Sequence, residues 1–384
     1  MSDVVIAGVG MTPVGEHWEI SLRSLAARAM LAAIKDAGGI QPQALYIGNL
    51  LASVISHQSN LGALLTDNAG LHHIESYTVE AADASGAGAF RLAYLAVRSG
   101  FVDAALVVGV DKLTDWIDGQ EMALAQATDY DYEAMQGVTF TSQAGLLAQR
   151  YQHQYDPPQG FLSGFPLLGH ANAVSNPNAM FRRAVDLETY ARAGMKCDPL
   201  NLYDIAPLAD GAAAALITRA SLLPADFPHP RVRVSGSAVV TDRLALHDRP
   251  DPLAFDASRI SVDQACRQAG ILPGDVDLLE LHDSFSIHAV LALEAAGYAE
   301  RGKGWQMAQS GDLSLTGSLP AQTFGGLKAR GFPIGASGVY QVAEATLQLR
   351  GTAGANQVPG ARRALVQSLG GPASTAITHV LERL

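Results

Sequence analysis

Apolar runs of strand length alternate along the chain with apolar positions at helical spacing. VVIAGVG (4–10) is an unbroken apolar run and predicts a buried strand. Leu22, Leu25, Ala29 and Ala33 then share one helical face, and Ala37-Gly38-Gly39 supplies a C-terminal stop. LYIGNLL (45–51) and AALVVGV (104–110) predict further central strands. DGAAAALITR (210–219), RVRVSGSAVV (231–240), VDLLELHD (276–283) and RALVQSLGG (363–371) continue the series. Strands separated by helices make βαβ units, so an α/β fold on a mainly parallel sheet is expected.

The pattern is duplicated. ASGAGAFRLAYLAVRSG (84–100) resembles ASGVYQVAEATLQLRG (336–351), with Ala-Ser-Gly opening both copies 252 positions apart. Leu95/Leu347 and Arg98/Arg350 keep that offset, and each copy precedes a strand run. AGGIQP (37–42) and AGILPG (269–274) form a second pair, each lying between a helix and a strand. Its offset differs, so insertions separate two related halves, 1–230 and 231–384. Between about 115 and 205 the pattern breaks. QHQYDPPQGFLSGFPLLGHANAVSNPNAMF, rich in Pro, Gly, Asn and aromatics, predicts a long loop excursion that covers a site. Its Phe161, Phe165, Leu167 and Leu168 would be either pocket walls or core.

Composition narrows the function classes. A chain of 384 residues, 48% hydrophobic, has the material for one large or two medium folded domains. The net charge of −11, spread over scattered acids, disfavours nucleic acid and anionic membranes as partners. No apolar run approaches the roughly 18–20 residues that span a bilayer. MSDVVIAGVG lacks the basic start of a secretory signal, so a cytoplasmic protein is expected. Two cysteines, Cys197 and Cys266, make neither a disulfide framework nor a zinc site, and no metal is expected.

Four stretches carry candidate chemistry, and all fall at strand ends or strand-to-helix turns, where parallel sheets collect ligands. Asp83-Ala-Ser85-Gly86 puts an acid before a helix, either as its cap or as a base or fixed charge. His282-Asp283-Ser284-Phe285 follows the run LLEL, though adjacency in sequence does not assemble a triad. GGLKARGFPIGASG (325–338) is glycine-dense and opens a helix at Ser337. Ser368-Leu369-Gly370-Gly371 ends a strand with free amides.

Together these stretches resemble the thiolase superfamily, most closely its sterol-carrier-protein-type and archaeal members. VVIAGVGMTPVGE, VEAADASG, VVGVDKLTD, NPNAMFR, DPLNLYDIAPLADGAAAALI, ELHDSFS, GGLKARGFPIGASG and SLGGPAS carry the resemblance in order over nearly the whole chain. It implies a thiolase fold: two similar βαβαβαββ halves in five αβαβα layers, with a long insertion in the first. It also implies carbon–carbon bond chemistry beside a coenzyme A thioester. In such enzymes one cysteine takes the acyl group, a histidine activates it, a second cysteine moves the α-proton, and two oxyanion holes hold developing charge.

The same resemblance assigns positions in this chain. Asp83 stands at the nucleophile's place in VEAA-C-ASG, and Phe332 at the activating histidine's. Ser284 stands at the proton-moving cysteine's place, and Ser368 at that of an alternative cysteine. His282 keeps the position that polarises the thioester oxygen, while the amides of Gly370 and of residue 83 would form the second oxyanion hole. Cys197 and Cys266 match neither role. Two functions are expected from this. One is an enzyme that works through an enolate without an acyl-enzyme, with Asp83 as base in a site dried by Phe332. The other is a catalytically silent subunit that binds acyl-CoA or a partner. The resemblance implies no bound cofactor, with acyl-CoA as substrate or ligand. It also implies a homodimer, and a small OB-fold, zinc-ribbon partner or a second thiolase subunit.

Overall fold

A computed structural model describes residues 3–384. The first half runs β1 (Val4–Met11), α1 (Leu22–Asp36), β2 (Ala44–Gly48), α2 (Leu61–Asn68), β3 (Glu75–Val79), α3 (Ser85–Ser99) and β4 (Ala104–Asp111). The excursion follows, with α4 (Phe140–Tyr155) and α5 (Gly164–Ala173), and β5 (Gly211–Arg219) closes the half. The second half runs β6 (Val232–Thr241), α6 (Asp256–Ala269), β7 (Leu278–Glu280), α7 (Ser286–Ala295), α8 (Ser337–Arg350), β8 (Arg363–Gly370) and β9 (Thr375–Arg383). The strand that would complete it is reduced to one parallel bridge, Leu279 to Ala321.

These nine strands join one sheet in the order β3-β2-β4-β5-β1-β6-β9-β8-β7, apart from a two-stranded hairpin of Met195–Cys197 and Leu200–Asn201 in the excursion. The expected mainly parallel sheet is instead mixed. Only β2–β3, β2–β4 and β7–β8 pair in parallel. Each half returns its last strand antiparallel beside its first, β5 against β1 and β9 against β6. The halves touch edge to edge through a short pairing of Val5 and Ile6 with Arg233 and Val232.

Five layers result. α1 covers the outer face of the first half-sheet, α6 covers that of the second, and α3 and α8 fill the space between them. Both central helices are rich in buried small and apolar residues, because each faces a sheet on either side. The repeated Ala-Ser-Gly sets their approach. A Cβ on Gly86 would lie 2.5 Å from the Gly335 carbonyl oxygen, and one on Gly338 would lie 2.6 Å from the Ala87 nitrogen. The sequence duplication is therefore a near-symmetric crossing of two helices at their first glycines.

The stretch expected as a plain loop carries helices of its own, α4 and α5 the longest. Pro166, which reads as a breaker, sits in the first turn of α5, where no intrahelical N–H bond is lost. Phe161 and Phe165 are core, and Phe161 stacks on Tyr151 of α4 with ring centroids 5.5 Å apart. Leu168 packs against the same cluster. Among the described residues no helix is long and apolar enough to cross a membrane, and no group of three or more His, Cys, Asp or Glu could hold a metal ion.

Candidate active site

The chain turns sharply between β3 and α3. Ala82 takes a left-handed backbone with φ +51°, unusual for a residue with a Cβ. Local bonds hold it there. Glu80 Oε1 accepts the Ala82 N–H at 2.6 Å, while Ser85 Oγ donates to the Ala82 carbonyl and accepts the Ala81 N–H at 3.0 Å. Gly370 lets the end of β8 approach, since a Cβ there would lie 2.6 Å from the Ala81 carbonyl oxygen. This elbow drives the Asp83 side chain inward.

Asp83 is wholly buried and does not cap α3. Its Oδ1 accepts the Gly371 N–H at 2.6 Å, and its Oδ2 lies 3.0 Å from His282 Nε2. The amide brought to the carboxylate is thus that of Gly371, one residue beyond Gly370. His282 is equally buried, and its Nδ1 has no partner. The Phe332 ring stands edge-on to the imidazole, with centroids 5.7 Å apart and planes at 81°, and seals that side. An acid from the first half and a histidine from the second, 199 residues away, make one contact.

The neighbouring side chains diverge. Asp283 Oδ1 accepts the Leu327 N–H at 2.7 Å, which pins the glycine-dense loop, and burial pushes its carboxyl pKa up. Ser284 Oγ lies 3.2 Å from His288 Nδ1. His282, Asp283 and Ser284 therefore face three different partners, and no Ser-His-Asp triad forms. Ser368 Oγ donates to Gln341 Oε1 at 2.6 Å, an internal bond of the second half. Ser337 Oγ is buried without a partner at the head of α8. Cys197 lies in a short hairpin against Gly145, and Cys266 lies in α6. Burial raises both thiol pKa values, that of Cys266 to about 11.

The elbow contact occurs twice, with its parts exchanged. Gly335 precedes Ser337 by two residues, as Asp83 precedes Ser85. The Gly335 N–H donates at 2.9 Å to Asp111, which ends β4 much as Gly370 ends β8. Asp111 also accepts from Asn49, Leu50 and Leu51, so that copy is fully satisfied by protein groups.

A cleft of about 910 Å³ opens beside this centre. His170, Phe181, Arg183 and Tyr203 of the excursion line it, with Pro207 and Lys328 at its inner wall. Lys328 is buried, donates to the Asp204 and Ser284 carbonyls, and has its pKa lowered to about 8 by burial. The Phe332 N–H donates to the Pro207 carbonyl at 2.8 Å, so Phe332 stands between the cleft wall and His282. A second cavity, of about 350 Å³, reaches the outer side of the elbow at Ala81, Ala82 and Ser374. Sequence reasoning singled out neither Lys328 nor His288, because nothing in the sequence marks either as facing the centre.

Two similar α/β halves, with a buried centre assembled at the head of a shared central helix, are the architecture of the thiolase superfamily. The chain belongs to that family: the thiolase N-terminal domain profile matches residues 4–221, and the "Thiolase C-terminal domain-like" profile matches residues 238–383. It is 40% identical to an acetyl-CoA acetyltransferase of Methanothermobacter thermautotrophicus over the full length of both chains. It is 26% identical to sterol carrier protein 2 of Gallus gallus, over 98% of this chain and 71% of that one. The solved structure titled "Ltp2-ChsH2(DUF35) aldolase" has the same fold, with TM-score 0.86, 23% identity, and coverage of 99% of this chain and 98% of that one.

Proposed function

We propose that the protein makes or breaks a carbon–carbon bond beside a coenzyme A thioester, by way of an enolate and without an acyl-enzyme. The observation that carries this is the sealed contact of Asp83 with His282 and the Gly371 amide. A carboxylate is a far weaker nucleophile toward a thioester than a thiolate, and Phe332 supplies no base. Donors that would steady an oxyanion instead surround an acid. In the breaking direction Asp83 takes the β-hydroxyl proton of a β-hydroxyacyl-CoA. The Cα–Cβ electron pair passes to the thioester oxygen as an enolate, and an aldehyde or ketone leaves. His282 steadies that enolate oxygen, and a proton returned to Cα completes the acyl-CoA. The cleft suits the coenzyme A portion, with Arg183 and Lys196 among its lining residues to meet phosphates. The acetyl-CoA acetyltransferase relative and the structural neighbour titled an aldolase support this chemistry.

A silent subunit is the second reading, and one observation favours it: Asp83 and His282 line neither cavity. In either case we assign a homodimer and a small partner subunit, in keeping with a neighbour whose title pairs two proteins. Exposed Ile117, Met122, Tyr130 and Tyr132 on the excursion offer apolar surface for such contacts.

The deciding experiment has two arms. A panel of β-hydroxyacyl-CoA thioesters should be cleaved by the wild type and spared by Asp83→Asn, and intact mass after exposure to thioesters should show no acyl adduct. Thiolysis of acetoacetyl-CoA, or an adduct on the wild-type chain, defeats the proposal; tight binding with no turnover of any thioester assigns the silent role.

A further inference from the structure

A second buried pair lies two residues beyond His282. Ser284 Oγ and His288 Nδ1 stand 3.2 Å apart at the start of α7, and His288 Nε2 has no partner. Phe255 and Phe285 stand edge-on against the imidazole, with centroids 5.8 and 5.1 Å away. Two arrangements of the protons are open to this pair, and they mean opposite things.

If Ser284 donates to Nδ1, His288 is a base and Ser284 a nucleophile. Nε2 then carries a hydrogen with no acceptor, and the ring must become an imidazolium among aromatic side chains. If Nδ1 carries the hydrogen, the orphaned atom is only a lone pair, which buried structure tolerates better than an orphaned N–H. Burial, with His282, Lys328 and Arg249 nearby, holds the His288 pKa well below the ordinary histidine value, so the ring stays neutral. The second arrangement wins. His288 donates to Ser284 Oγ, and the serine's own proton is left for another acceptor.

We infer that His288 is a positioning residue that makes Ser284 a hydrogen-bond donor to an oxygen of the bound acyl group. The inference rests on the enolate reading above. The main chain anchors the serine on its other side: the Ser284 carbonyl accepts the Ala206 N–H at 2.8 Å and Lys328 Nζ at 3.3 Å, and both of those residues line the cleft. Ser284 is thereby tied to the cleft wall by its backbone and to α7 by its side chain. Its hydroxyl proton is left free for an oxygen of the acyl group, and the serine itself carries no acyl group.

Exchange of the α-protons of acetyl-CoA in D₂O, followed by mass spectrometry, tests this on the full chain. Ser284→Ala and His288→Phe should each slow exchange by about 100- to 1000-fold, as loss of one oxyanion donor does, with little change in KM. His288→Asn, whose amide N–H can still reach Ser284 Oγ, should recover most of the rate, which a merely structural role for the ring would not give. If His288→Phe fails to fold, Ser284→Ala and His288→Asn carry the test. Acetyl-CoA that exchanges equally fast in wild type and Ser284→Ala sinks this inference alone, as does an acyl group found on Ser284. Acetyl-CoA that neither binds nor exchanges removes the enolate reading, and this inference with it.

Discussion

Asp83 Oδ2 and His282 Nε2 lie 3.0 Å apart with both side chains shut off from solvent, and this contact joins the two halves of the molecule at one point. An enolate mechanism needs a base and an oxyanion donor, and the enolate reading gives these roles to Asp83 and His282. Asp83→Asn keeps the shape and can still accept the Gly371 N–H. It should cut turnover of a β-hydroxyacyl-CoA by roughly 10²- to 10⁴-fold, the span of general acid–base catalysis, while the thermal midpoint stays close to wild type. Steady-state kinetics beside a melting curve check both parts.

Restoring sulfur should restore the chemistry that the family resemblance implies. The double variant Asp83→Cys/Phe332→His places a thiol at the elbow and an imidazole beside it. It should acquire a thioester-linked acyl group, visible by intact mass, and thiolyse acetoacetyl-CoA at least about tenfold faster than either single variant. A double variant as inert as the singles would show that the pocket no longer admits the thioester.

The cleft predicts a salt-dependent affinity. Arg183 and Lys196 are exposed lining residues, so their contribution to binding coenzyme A phosphates is screened. Arg183→Ala/Lys196→Ala should weaken acyl-CoA binding by about tenfold at low salt, and the gap should narrow near 0.5 M salt, by titration calorimetry at both ionic strengths.

Buried Glu280 gives a stability test with a definite sign. Its carboxyl receives only the Thr323 N–H and hydroxyl, while Arg330 pairs with nearby Glu344. Burial, with the Glu344 charge adding to it, pushes the Glu280 pKa up to about 8. Between the unfolded value near 4.5 and about 8, the unfolded chain releases this proton and the folded chain keeps it. Stability from this group is therefore complete below that window and declines as pH rises through it. Glu280→Gln should flatten that decline in denaturation midpoints measured from pH 5 to 8.5.

The glycines of the central crossing should be intolerant. Gly86→Ala and Gly338→Ala place a methyl against backbone atoms 2.5 and 2.6 Å away, so each should cost about 1–3 kcal/mol by chemical denaturation.

Much of this arrangement is legible in the sequence. The 252-residue repeat foretells the paired central helices, because packing against two sheets imposes the same small residues on both. The helices of the excursion are not legible, since Pro166 sits in a first turn where it breaks nothing and Gly145 and Gly169 lie inside α4 and α5, where a glycine is tolerated for close packing. Antiparallel returns by β5 and β9 escape notice because a buried strand reads the same in either direction. At the site, the four glycine- and acid-bearing turns are visible as turns. The bond between Asp83 and His282 spans 199 residues and has no local signature. Gly371 differs from Gly370 only in which amide the strand end turns inward, and that is a matter of backbone geometry.

Because the elbow acid comes from one half, and the imidazole and closing amide come from the other, neither portion of the polypeptide owns a working centre. A nick in the connection between Arg219 and Val232 would leave two fragments, each with half of the constellation. Activity in their mixture would then report reassembly directly, so the protein is suited to serve as a split reporter of its own docking.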